Sequence, residues 1–77
     1  MRLAGVIVID LEEKKILTQW ALLKENETIN DVDWSKGEDM AFSLDDVEWI
    51  KETFKSTCVE SVEVEEGLIR LYVTSKL

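Results

Sequence analysis

The segment Asp31-Val32-Asp33-Trp34-Ser35-Lys36-Gly37 sets oxygen-bearing side chains at alternate positions, the arrangement with which a calcium loop begins to wrap one ion. The rest of such a loop does not follow. The glycine of its sharp turn would have to stand at Lys36 and its closing bidentate glutamate at Phe42, so the segment reads as a polar turn held by Asp and Ser side chains, and no metal is expected there. Carboxylates are abundant elsewhere, with seventeen Asp and Glu in 77 residues. Acid–base chemistry, however, needs a carboxyl held in a water-poor cleft, and Asp45, Asp46, Glu65 and Glu66 read as exposed cap or turn residues. The chain has no His and one Cys, so it cannot assemble an internal disulfide, a Ser-His-Asp triad, a Cys-His pair or a four-ligand zinc site. Cys58 continues an apolar helical spacing and reads as a small core residue rather than a nucleophile. Three isolated glycines make no phosphate loop. No catalytic residue and no cofactor are expected, and the chain is read as a protein that is not an enzyme.

What remains is charge. Nine Lys and Arg against seventeen acids give a net charge of −8, and the distribution is uneven. Residues 25–66 hold fourteen acids and three bases, whereas the rest of the chain holds three acids and six bases. The densest stretch, Glu25 to Glu48, has nine acids against Lys36 alone. Such a field repels nucleic acid and anionic lipid and attracts basic surfaces, although a small protein also gains solubility from net charge alone. With 45% apolar residues and three Trp, the chain is too hydrophobic for a disordered acidic tail and is expected to fold as a single small domain over 1–77.

The elements that must position these charges follow from periodicity. Residues 2–11 are apolar on both alternating faces, the pattern of a central strand, and a second strand over 15–23 follows a hairpin-length connection. Residues 59–65 and 68–75 form another expected hairpin across a three-residue loop, Glu65-Glu66-Gly67, with Gly67 at the left-handed position. Between them, Ser43 is expected to cap a helix over 44–57, with Asp46 as its reciprocal partner and Val47, Ile50, Phe54 and Cys58 as the buried stripe. The fold class is therefore α+β, in the order ββαββ: a four-stranded, mainly antiparallel sheet with one helix packed on one face. The first and last strands belong in its middle, and the glutamate-bearing 59–65 strand at an edge, where its charges discourage association. One helix cannot cover both faces. The connection 24–42, which carries Ile29, Val32, Trp34, Met40 and Phe42, is expected to fold over the second face, ahead of the alternative that a homodimer covers it.

At roughly 100° per residue, Trp49 lies near the side opposite Val47, among Asp45, Glu52 and Thr53. An outward Trp among carboxylates has the composition of a hot spot for a basic partner, unless Trp34, Met40 or Phe42 folds over it. The expected contact set is Asp31, Asp33, Trp34, Glu38, Asp39, Asp45, Asp46, Glu48, Trp49 and Glu52. The implied function is that of a small acidic interaction protein that occupies, and blocks, the basic surface of a nucleic-acid-binding protein. In size and composition, though in no motif, it is similar to compact acidic proteins with which phages and mobile elements oppose restriction or CRISPR machinery. The alternative is a structural or regulatory subunit that dimerises through the second sheet face. Early acids, beginning at Asp10, argue against a secretory leader, and no apolar run reaches the ~20 residues of a membrane span, so a cytoplasmic setting is expected. Ser75-Lys76-Leu77 spells a peroxisomal address that would matter only on a free tail.

Overall fold

A computed structural model describes residues 2–76. Its elements are β1 (Arg2–Asp10), β2 (Lys15–Leu23), β3 (Met40–Ser43), α1 (Val47–Ser56), β4 (Thr57–Glu65) and β5 (Leu68–Ser75), with two single-turn 3-10 segments, Ile29–Asp31 and Trp34–Lys36, in the long connection. The class is α+β, but the sheet has five strands, in the order β3-β2-β1-β5-β4, and every pairing is antiparallel. The additional strand is the end of the 24–42 connection. Ile16 pairs with Phe42 and Leu17 with Ala41, so the four residues Met40–Ser43 extend the sheet beyond β2. As expected, β1 and β5 are interior and β4 is an edge.

That extra strand moves the helix. Pairing carries the chain in extended form through Ser43, so α1 starts at Val47 and not at residue 44, and it ends at Ser56. Ser43 turns the chain, its Oγ accepting from the Asp45 amide at 3.1 Å, while the N-cap is Asp46, whose carboxylate accepts from the Trp49 amide at 3.1 Å. The buried face is rotated accordingly. Trp49, Ile50 and Phe54 pack on the central cluster of Ile7, Ile16 and Val73, whereas Val47 is exposed and Cys58 lies exposed in β4. The expected stripe through Val47 and Cys58 thus lies roughly a quarter-turn from the one the sheet selects. Trp49 does not stand on the outer face: its ring stacks on Phe42 with centroids 4.2 Å apart and planes inclined by 21°.

The registers define the two faces. Gly5, Ile7 and Ile9 of β1 align with Trp20, Thr18 and Ile16 of β2 and with Val73, Leu71 and Ile69 of β5, and this is the face under α1. Here Gly5 is required by close approach, because a Cβ would run into the Trp20 ring. Trp20 itself packs against the core cluster, and its indole N–H donates to Thr18 Oγ1 at 3.2 Å. Ala4, Val6 and Val8, with Leu17, Gln19, Arg70, Tyr72 and Thr74 beside them, form the opposite face.

Both hairpin turns have a local cause. Asp10 Oδ1 accepts from the Glu12 and Glu13 amides and so closes the β1–β2 turn, while Lys14 takes a left-handed φ of 55°. The β4–β5 loop has two residues, since Glu65 already pairs with Leu68, and Gly67 has the expected positive φ of 75°. Ser75 and Lys76 belong to the sheet end, where Lys76 N–H donates to the Ser56 carbonyl at 3.1 Å, and Leu77 lies outside the described residues.

Candidate functional site

The connection 24–39 lies over the second sheet face. Asp39 accepts from the Gln19 side-chain amide at 2.8 Å, and Gly37 sits so close to the Gln19 side chain that a Cβ there would collide with it. Farther along, Ile29, Asn30, Val32 and Trp34 meet Ser61, Glu63 and Tyr72 around an open cavity of about 320 Å³. The apolar residues of the connection thus hold it to the sheet at half-buried positions, and Ala4, Val6 and Leu23 beneath are closed off from solvent. The sheet face left over by α1 is covered from within the chain.

The carboxylates of the connection hold its turns. Asp31 accepts from the Thr28 amide at 2.7 Å, and Glu27 accepts from the Lys24 amide at 2.8 Å. Asp33 accepts from both the amide and the hydroxyl of Ser35, and Lys36 pairs with it at 3.8 Å. The two hydrogen bonds from Ser35 hold the Asp33 carboxyl below its ordinary value, with Lys36 contributing in the same direction and desolvation opposing. Asp31 and Asp33 consequently serve separate turns rather than converging on one ion, and among the described residues no three metal-ligating side chains are gathered.

Glu63 is the acidic side chain in the lining of the cavity. Glu63 flanks Tyr72, and the Tyr72 phenol is raised above its ordinary value, first by burial and then by the hydrogen bond and negative charge of Glu63, with Arg70 acting in the opposite sense. Glu63 and Glu65 occupy the same row of β4, and Glu65 pairs with Arg70 at 3.6 Å. Glu60, at the bulge between Val59 and Ser61, accepts from the Thr74 hydroxyl at 2.7 Å and so joins this face.

The ten residues singled out by sequence do not form one surface. Asp31, Asp33, Trp34, Glu38 and Asp39 belong to the connection on the second face, with Trp34 half-buried at the cavity. Asp45, Asp46, Glu48, Trp49 and Glu52 are carried by α1 and the turn before it, across the sheet. Asp46 is engaged as the helix cap and Trp49 in the Phe42 stack. Sequence reasoning missed Tyr72 and Glu63 as neighbours of Trp34, a pairing that depends on where the connection lands. The one signal available was the alternation that places Tyr72 opposite the helix. A second cavity, about 470 Å³, opens on the helix side between Leu3, Trp20, Thr53 and the basic Lys55 and Lys76, apart from the acidic connection.

Among the described residues no helix is long and apolar enough to cross a membrane. No family model matches this chain, and neither the curated proteins nor the solved structures offer a match to it, so its geometry and charge are what bear on its role.

Proposed function

We propose that this protein is a small acidic interaction module that works by binding rather than by catalysis, and that it occupies a basic surface on a nucleic-acid-handling partner, blocking it. The observation that carries this reading is the convergence of two acidic regions far apart in sequence. The connection, with Asp31, Asp33, Glu38 and Asp39, lies on the same sheet face as Glu60, Glu63 and Glu65 of β4, around the half-buried Trp34 and Tyr72. Carboxylates held by local hydrogen bonds present negative charge in a fixed geometry, as a run of phosphates does, and aromatic rings between them offer contact area and cation–π surface. The contact face is therefore the connection side, and the acids of α1 contribute long-range steering. A homodimer through the second face, the competing idea, would have to displace the connection.

Affinity capture from cell extract at low and high salt, followed by mass spectrometry, tests the reading. Basic nucleic-acid-binding proteins retained at low salt and released at high salt are expected. The triple substitution Asp31→Asn, Asp33→Asn and Asp39→Asn should slow association with the captured partner by about tenfold at low ionic strength. A partner indifferent to salt and to these substitutions overturns the proposal.

A further inference from the structure

The least explained surface is the outer edge of β4. Val59, Val62 and Val64 lie on the helix face of the sheet at 48%, 52% and 72% exposure, increasing with distance from the point where α1 ends and β4 begins. Thr57, the first residue, is the only buried one of this strand, so among the described residues the row is left uncovered. On the other face of the same strand Ser61, Glu63 and Glu65 alternate with the valines, and β4 pairs only with β5, leaving its second main-chain edge open. The opposite edge of the sheet, β3, is four residues long, whereas β4 is nine. A long edge strand with an apolar row on one face is what sheets ordinarily cover or disrupt. The β4 bulge at Val59/Ser61 disrupts only its beginning.

We infer that residues 61–65 of β4 receive an extended strand from a basic partner, one whose side chains alternate between apolar and Lys or Arg. Main-chain hydrogen bonds would run along the open edge, apolar side chains would extend the Val62 and Val64 row, and cations on the other face would lie beside Glu63 and Glu65, next to the cavity at Trp34 and Tyr72. The charge pattern selects this occupant over a second copy of the chain. Self-pairing in antiparallel fashion would set the Glu63 and Glu65 row against itself, placing like charges opposite one another. The inference rests on the acidic-module reading and specifies the form of its partner.

The probe is a pair of capped hexapeptides of identical composition, Lys-Val-Lys-Val-Lys-Val and Lys-Lys-Lys-Val-Val-Val, titrated into the full chain and followed by amide shifts and hydrogen exchange. The alternating peptide is expected to bind about tenfold more tightly than the block peptide, to perturb amides of residues 61–65 and to slow exchange of those facing the open edge. The double substitution Val62→Ser and Val64→Ser, at exposed positions and without change of charge, should remove most of that difference while leaving the block peptide unaffected. Equal binding of the two peptides, or shifts confined to the connection 24–39, overturns the β4 inference and leaves the acidic-module reading intact. Binding of neither peptide at low salt overturns both. Concentration-dependent protection of β4 without peptide would show that a second copy takes the edge, which also overturns it.

Discussion

The two faces of the sheet are covered by different physics. On one, the half-buried Trp49, Ile50 and Phe54 of α1 pack against the buried Ile7, Ile16 and Val73, so cohesion comes from apolar contact. On the other, the connection likewise has only half-buried apolar anchors, and the cover is held in addition by Asp and Glu caps on its own turns and by the Asp39–Gln19 hydrogen bond. A cover of the first kind is costly to disturb. One of the second kind can carry six acids against two bases and still lie in place, because each turn satisfies its own amides. The charged cover and the helix-side apolar cluster thereby lie on opposite faces of one sheet.

The largest expected effect tests that separation directly. Ile7→Ala, at a fully buried position, should cost about 3 kcal/mol in urea unfolding, whereas Ile29→Ala in the connection should cost less than about 1 kcal/mol. Comparable losses would mean that the connection is a core element and that the two covers do not differ. Next, Gly5→Ala forces a methyl group into the Trp20 ring and should destabilise by about 2 kcal/mol. In a Trp20→Ala background the same change should be close to neutral, and a double-mutant cycle reads the coupling.

A smaller effect distinguishes the observed helix start from the expected one. Asp46→Ala removes the N-cap and should lower stability by about 1 kcal/mol, while Ser43→Ala, which loses only the bond from the Asp45 amide, should lower it by less. The reverse order would restore the cap to Ser43. Smallest is a titration on the connection side. With its folded value raised above 10.0, Tyr72 contributes stability that is complete below the unfolded value and is lost as pH rises through the folded one. Spectrophotometric titration of the phenol should show Glu63→Gln bringing Tyr72 back toward its ordinary value. No movement would mean that Glu63 does not face Tyr72.

Much of this arrangement was legible in the residues. Two-sided apolar content placed β1 and β5 in the sheet interior, and the glutamates placed β4 at an edge, because burial on two faces and exposure of charge are properties of a strand's own composition. Gly67 marked its turn for an equally local reason. The remaining features depend on longer-range contacts. Met40 to Ser43 is too short to announce itself as a strand without β2 to pair with, and once paired it shifted the helix start by three residues and changed the cap. Helical spacing alone points Trp49 outward, because it leaves the azimuth of the buried face open when apolar residues surround more than half of the expected 44–57 helix. The position of Phe42, fixed by β3, turned that face toward the sheet.

By itself, then, the sequence determined the class of fold, the interior and edge strands, the lack of His and of a second Cys for an internal disulfide, and the concentration of negative charge in residues 25–66. These depend on composition and on periods of two and 3.6 residues, which each segment carries alone. The tertiary structure decided which acids share a face, that Trp34 and not Trp49 joins them, that Tyr72 and Glu63 complete their surroundings, and that the valines of β4 remain uncovered. Those outcomes depend on where the connection and the helix land on the sheet, and that is set by contacts between residues distant in sequence.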